Sequence, residues 1–445
     1  MNQSDAPAQT KVVNADSLLS RELGVRQLGS NIFNYTVGSG IFLLPATAVV
    51  SLGTAAPLAY VACAIVIGLV VLCYAEAGSR VSATGGSYAY VETAMGPMLG
   101  FVAGCLVFTT GLFAASAVFT GFVRSFLTLF MTTPSPWVVN ILILLMVATL
   151  VSINMRGVRT GARVLEIITV LKLLPLLAFV FIGVFFIDPA NLKWTNVPDT
   201  SAVLGAAGIV IFAFSGIEGA TVPSGEVRNP ARTVPRAILL ALGTATLLYL
   251  AIQYVALGIM GLDLANTGRT PLAAAAGMAL GPVARTVMIV AAVVSMFGYL
   301  SANVLSEPRG LFAMSRDGFL PSVLSRVHPR FQTPNTAIAF YGVLVAAIAL
   351  SGTFEWLTIF ANLAALALYF LCAIAAFLLR RRNVRTENEP FVAPGGPLIP
   401  IATCVAVAWL FFETAKDGTQ FYALLVALAI ILALYGIRTW RRKAA

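Results

Sequence analysis

The sequence predicts an all-α polytopic membrane protein with twelve transmembrane helices, the first ten forming two inverted five-helix repeats. Three observations carry this reading. Of 445 residues, 59% are hydrophobic and only 10% charged, with a mean hydropathy of +0.91, whereas about a quarter of a soluble domain is charged. Charge-free stretches long enough to cross a bilayer recur along the whole chain. Two apolar spans, one near the start of each half, are broken by small residues: Val37-Gly38-Ser39-Gly40-Ile41 and Phe214-Ser215-Gly216-Ile217-Glu218-Gly219.

The spans follow in order. Residues 27–75 carry no charge and hold two spans with a turn near Ser51 to Pro57; residues 93–123 and 125–155 give the third and fourth. The fifth and sixth are each interrupted by a single charge, Lys172 and Glu218. Residues 237–262, 286–306, 331–354, 356–379, 390–412 and 418–437 supply the remaining six, each meeting the roughly 20 residues that a crossing helix needs. If the first and sixth spans are equivalent, residues 27–187 form one repeat and 201–379 the other, joined by an extracellular linker, 188–200. An odd number of spans per repeat inverts the second. Residues 1–26 are then a cytoplasmic N-terminal segment. Residues 380–400, with Arg380 to Arg385 and the Pro/Gly stretch from Pro390 to Pro400, form a cytoplasmic linker to the last two helices and short tail, 401–445.

Basic residues set the orientation, because short cytoplasmic loops collect Lys and Arg. With the N-terminus inside, 22 of the 28 basic residues fall on the cytoplasmic side and 5 outside, with Lys172 in the membrane. Both termini are expected in the cytoplasm of a plasma (inner) membrane protein. The net charge of +10 is explained by this topology and by attraction to anionic lipid, so it calls for no nucleic-acid partner. The first 25 residues lack the pattern of a cleavable signal peptide. The five cysteines are odd in number, lie in apolar spans and lack metal-ligand spacing, so they read as packing residues. The sole histidine, His328, sits in a cytoplasmic loop. No metal site, cofactor or catalytic constellation is therefore expected within the membrane. The chain reads as no enzyme.

The two breaks carry the chemistry. Unsatisfied backbone in hydrocarbon costs several kcal/mol, so irregular chain at depth must face protein or a wet cavity, and paired breaks in two halves are the signature of a transporter's binding site. After the first break, at Gly38, Ser39 and Gly40, a half-helix begins with its N–H groups aimed at the midplane. That end suits a carboxylate. Carbonyls near Thr36 and Val37, and near Phe212, Ala213, Ser215 and Gly216, suit an ammonium. One ligand class carries both groups a few ångströms apart: the α-amino acids. A Gly-Ser-Gly run also serves helix packing, but the partner break in the sixth span favours a site.

The same residues carry a family resemblance. Asn34-Tyr35-Thr36-Val37-Gly38-Ser39-Gly40-Ile41-Phe42, then Phe212-Ala213-Phe214-Ser215-Gly216-Ile217-Glu218 leading to Glu226-Val227-Arg228-Asn229-Pro230, and Arg309-Gly310-Leu311-Phe312-Ala313-Met314-Ser315-Arg316-Asp317-Gly318 resemble motifs of the amino acid–polyamine–organocation (APC) superfamily. The resemblance covers the first ten spans. It implies the LeuT-type 5+5 inverted-repeat fold, with discontinuous first and sixth helices, and transport of amino acids or related amines by alternating access.

Lys172 lies about 11 residues into the fifth span, roughly 16 Å from its cytoplasmic end, and an intramembrane lysine is by default functional. It matches the position where some sodium-independent members of the resembled family place a lysine instead of a bound cation. Its expected partners are the carbonyls freed at the first break and a polar group of the eighth span, Ser301 or Asn303. Whether the ammonium is a fixed clamp or carries a proton stays open. Glu218 matches a family glutamate linked to proton sensing; a cytoplasm-facing carboxylate at the start of the inner half-helix is the slightly favoured reading. Phe212 matches the family's gating aromatic. Glu307 beside Arg309, and Arg163 beside Glu166, read as local pairs. Thr109, Thr110, Tyr299 and Asn362 are further pocket candidates, and with no acidic cluster evident a neutral amino acid is expected. The resulting expectation is a sodium-independent amino acid transporter, by proton symport or exchange, acting as monomer or homodimer. The alternatives are a cationic amino acid or polyamine antiporter and a non-transporting membrane sensor of amino acids.

Overall fold

Proline and glycine mark most helix boundaries. In the computed structural model six helices begin on a proline in their first turn, α3 (Pro57–Arg80), α5 (Pro97–Leu127), α6 (Pro136–Met155), α10 (Pro230–Met260), α11 (Pro271–Leu280) and α12 (Pro282–Arg316). The missing N–H costs nothing there, because a first-turn donor has no partner within its helix. Twice a short helix, α4 (Ser87–Met95) or α11, ends on a glycine with positive φ, Gly96 or Gly281, and the next residue is the proline that opens α5 or α12. The structure describes residues 23–436, except 82, 84, 132, 157–161, 195–196, 222–226, 269, 317, 332, 387, 417, 420, 423–424, 426–427, 430–431 and 434, and except the side chains of 162–167.

The remaining helices are α1 (Val25–Thr36), α2 (Gly40–Leu52), α7 (Ala162–Gly183), α8 (Thr200–Val210), α9 (Ile217–Ala220), α13 (Asn335–Ser351), α14 (Phe354–Arg381) and α15 (Leu398–Thr414). Among the described residues the chain is all-helical, with no strand beyond a single bridge between Leu23 and Val227. Eight helical segments among the described residues are long and apolar enough to cross a membrane. The bent pair α1 and α2, which meet at 44°, makes a ninth, and α11, α13 and α15 are shorter apolar helices. The protein is thus a polytopic membrane protein. Nearly half of the last span expected from the sequence, residues 418–437, falls on undescribed positions.

α14 packs along α5, α3 and α4, α10 lies between α1 and α3, and α12 lies against α5 and α7. This arrangement brings α1, α5, α9 and α12 around one interior volume. A buried ionic cluster ties one end of the bundle. The Glu76 carboxylate accepts from Arg80 Nε (3.2 Å) and Nη2 (3.0 Å), from Arg380, and from the Ala393 N–H (3.2 Å). Arg80 Nη1 also donates to the Val384 carbonyl (3.1 Å), so the 382–393 connection after α14 is pinned to α3. The five cysteines are free and buried or half-buried.

Candidate functional site

At the first break α1 stops at Thr36 and α2 starts at Gly40. The carbonyls that α1 leaves without intrahelical donors are answered by side chains from three other helices. Lys172 Nζ, on α7 and 1% exposed, donates to Val37 O (2.8 Å) and Asn34 O (3.2 Å). Ser295 Oγ on α12 donates to Val37 O (3.0 Å) and Gly38 O (3.2 Å), and Tyr249 OH on α10 to Thr36 O (2.9 Å). On the other side of the break, the N–H groups of Ser39, Gly40 and Ile41 find no acceptor among the described residues.

At the second break α8 tightens into a 3₁₀ turn over Ile211–Phe214, and the chain leaves helical geometry at Ser215 and Gly216 before α9. Asn362 Nδ2 on α14 donates to Gly208 O (2.8 Å), and Ser215 Oγ turns back to Phe212 O (2.9 Å). Gly216 takes φ of +122°, a conformation that side-chain-bearing residues avoid. Its N–H donates to both oxygens of Glu218 (3.1 Å each), and Tyr369 OH donates to Glu218 Oε2 (2.9 Å). The carbonyls of Ala213 and Phe214 have no donor among the described residues.

The two breaks interlock. A Cβ on Gly40 would lie 2.6 Å from Ala213 Cα, and one on Gly216 would lie 2.9 Å from the Tyr35 carbonyl carbon. Glycine is required at both positions because main chain meets main chain. Around this crossing lies a cavity. Thr36, Gly38, Ser39, Gly40, Phe212, Ser215, Gly216 and Glu218 line it, so most of the residues anticipated from sequence come together there. α5 contributes one face, Val107, Thr110, Gly111, Ala114 and Val118, and α12 contributes Tyr299, Asn303 and Glu307. The hydroxyls of Thr36, Ser39 and Thr110 are buried and have no partner among the described residues. Phe212 is buried and packs edge-on against Phe354 (5.9 Å between ring centroids).

Several expectations are corrected by this geometry. The Thr36 and Val37 carbonyls are already occupied, by Tyr249, Lys172 and Ser295, because leaving them bare at depth is too costly. Val37 does not line the cavity. Lys172 reaches the carbonyls of the first break as expected, but the α12 group beside it is Ser295. Ser301 does not line the cavity, and Asn303 is engaged with Gly111 O (3.3 Å) and Tyr341 OH (2.5 Å). Asn362 holds the α8 main chain and does not line the cavity. Thr110 and Tyr299 line it, but Thr109 bonds within its own helix to Cys105 O (2.8 Å). Glu218 lies in the first turn of α9 and accepts from the Gly216 N–H, as expected of a carboxylate at the start of a half-helix, and it is 5% exposed and lines the cavity. Arg309 donates to Leu305 O and does not pair with Glu307, which lines the cavity. The Arg163 and Glu166 side chains lie outside the described residues.

Ser295, Tyr249, Tyr369 and Glu307 were missed. The signal for two of them was helical spacing: Ser295, Tyr299, Asn303 and Glu307 recur every fourth residue and so share one face of α12, whereas Ser301 falls off that face.

Comparison with known proteins agrees with this architecture. A family model described as amino acid permease matches residues 23–435. A methylthioribose transporter of Bacillus subtilis (strain 168) is 27% identical over 432 residues, covering 94% of this chain and 93% of the relative. A branched-chain amino acid permease of the same organism is 27% identical, covering 94% and 92%. Its serine/threonine exchanger is 28% identical, covering 96% and 99%.

Proposed function

This chain belongs to the amino acid permease family, whose members are transporters and not enzymes, and from that premise we propose that it carries an amino acid across the plasma membrane by alternating access, without sodium. The observation that carries the reading is the pattern of what each break leaves unanswered. The N–H groups of Ser39 and Gly40 belong to residues that line the cavity, and the free carbonyls of Ala213 and Phe214, which do not line it themselves, lie between its lining residues Phe212 and Ser215. They match the carboxylate and ammonium of a zwitterion. Gly38, Ser39 and Gly40 take the carboxylate; Ala213, Ser215 and Gly216 flank the ammonium; Thr36 lines the floor, and Phe212 covers the substrate.

Independence from sodium rests on Lys172. Its ammonium bonds the Val37 and Asn34 carbonyls, oxygens of the kind a sodium ion would need. The coupling is then to a proton or to a counter-transported amino acid, with Lys172 and Glu218 as the groups that change between loaded and empty states. Loaded and empty sites stabilise inward- and outward-open states differently, and transport requires no covalent step.

The architecture proposed with it is twelve spans in a LeuT-type 5+5 inverted repeat, residues 27–187 and 201–379, with both termini cytoplasmic. α1 with α2 and α8 with α9 are the first and sixth spans. α13 and α15, 17 residues each, are just long enough to cross. The short helix, glycine and proline that precede both α5 and α12 support equivalence of the third and eighth spans. Uptake by proteoliposomes of labelled amino acids under a sodium gradient, a pH gradient, or internal amino acid alone tests the proposal. The expected outcome is uptake driven by one of the last two. Uptake that requires sodium contradicts it.

A further inference from the structure

The cavity has a second end. Glu307 lines it from α12, and no basic group lies within ion-pair distance of its carboxylate among the described residues. The carboxylate rests against the bare backbone of Gly111 on α5: a Cβ there would come within 2.4 Å of Oε1. Beside it, Thr110 is 2% exposed, lines the same cavity and has a hydroxyl with no partner among the described residues. Three further polar neighbours are engaged. Asn303 is bonded to Gly111 O and Tyr341 OH, Tyr35 OH donates to Ser306 Oγ (3.0 Å), and Glu218 holds the Gly216 N–H and Tyr369 OH.

A carboxylate inside a membrane protein needs a counter-charge or several hydrogen bonds, and Glu307 has neither from the described residues. Its distance from the helix breaks indicates what could supply one. Gly121 on α5 abuts Leu43, three residues beyond Gly40 on α2, while Gly111 lies ten residues back along α5. At the helical rise this sets the Glu307 carboxylate roughly 10 Å along the α5 axis from the level of Gly40. That matches the extended length of an amino acid whose side chain ends in an ammonium or guanidinium, and exceeds the reach of serine or alanine.

We propose that Glu307, with the Thr110 hydroxyl as a second acceptor, forms a side-chain subsite for a cation, so that the preferred substrate is a long cationic α-amino acid. The proposal rests on the amino acid transport reading and replaces the neutral substrate expected from sequence. That expectation rested on the lack of a visible acidic group, and Glu307 had been paired with Arg309.

The test is ligand-induced thermal stabilisation of the purified full-length protein, titrated with arginine, lysine, citrulline, leucine and serine. Arginine or lysine is expected to bind at least about tenfold more tightly than citrulline, which keeps the shape of arginine without its charge. Glu307→Gln should remove that preference while citrulline still binds. Gly111→Ala, which pushes the carboxylate aside without changing its charge, should reduce the preference in the same direction. If leucine or serine binds better than arginine and lysine, or if a folded Glu307→Gln keeps the preference for cations, the subsite is refuted and the transport reading survives. If none of the five binds, both fall.

Discussion

At the first helix break the protein supplies donors: the Lys172 ammonium, the Ser295 hydroxyl and the Tyr249 hydroxyl all point at carbonyls. At the second it supplies an acceptor, the Glu218 carboxylate, to the Gly216 N–H. Each choice follows the local dipole, with a cation where a helix ends in carbonyls and an anion where a helix begins in N–H groups. At the first break the protein answers the carbonyl end of α1 and at the second the N–H end of α9, while Asn362 and Ser215 answer the Gly208 and Phe212 carbonyls of α8 and the 3₁₀ turn after it. Left unanswered among the described residues are the N–H groups at Ser39 to Ile41 and the carbonyls at Ala213 and Phe214. On the proposed reading, a pair of breaks with opposite leftovers is a receptor for a dipolar ion built from main chain.

The asymmetry between the breaks can be dismantled one group at a time. The largest effect is expected from Lys172→Ala. Removal of the ammonium strips two carbonyls of charge-assisted bonds worth about 1.5–3 kcal/mol each, and proteoliposome uptake should fall below detection; wild-type rates would remove Lys172 from the mechanism. Gly40→Val comes next, because its side chain must displace the Ala213 main chain. Substrate affinity, read by thermal shift, should weaken at least about tenfold while the protein stays folded. Unchanged affinity would refute the carboxylate site.

Glu218→Gln keeps the shape of the cap but not its charge, and should cost about 1–2 kcal/mol of stability, visible as a lower melting temperature. It should cost less transport than Lys172→Ala, since Tyr369 and the Gly216 N–H can still bond the amide oxygen. A loss as large as that of Lys172→Ala would make the two breaks equal partners in coupling. The smallest effect belongs to Ser295→Ala. Lys172 still serves Val37 O, so only Gly38 O is orphaned, a cost of about 1 kcal/mol or a severalfold drop in uptake. Ser301→Ala, off the cavity face, is its control and should be silent in the same assay.

Much of this was legible in the sequence because bilayer physics leaves few choices. The apolar spans, the two interruptions at Gly38 to Gly40 and Ser215 to Gly216, and the lone buried Lys172 all stand out against hydrocarbon, where every polar group needs a reason. Partner identity was not legible. Thr36 and Val37 looked like free carbonyls because the hydroxyls that occupy them, Tyr249 and Ser295, sit on helices more than 200 residues away in the chain. Glu307 was assigned to Arg309 by sequence proximity, yet two residues apart on a helix they point in different directions. The four-residue recurrence from Ser295 through Tyr299 and Asn303 to Glu307 held the better clue, since it marks the face of α12 turned to the cavity.

The central claim is that unwound main chain at the two breaks receives the two charged groups of an amino acid. A structure determined with the amino acid that binds most tightly in the thermal-shift series tests it most directly. The account predicts the ligand carboxylate within hydrogen-bond distance of the Ser39 and Gly40 N–H groups and its ammonium against the Ala213 and Phe214 carbonyls. A ligand bound elsewhere, or held in this cavity by side chains with both breaks unoccupied, would contradict it.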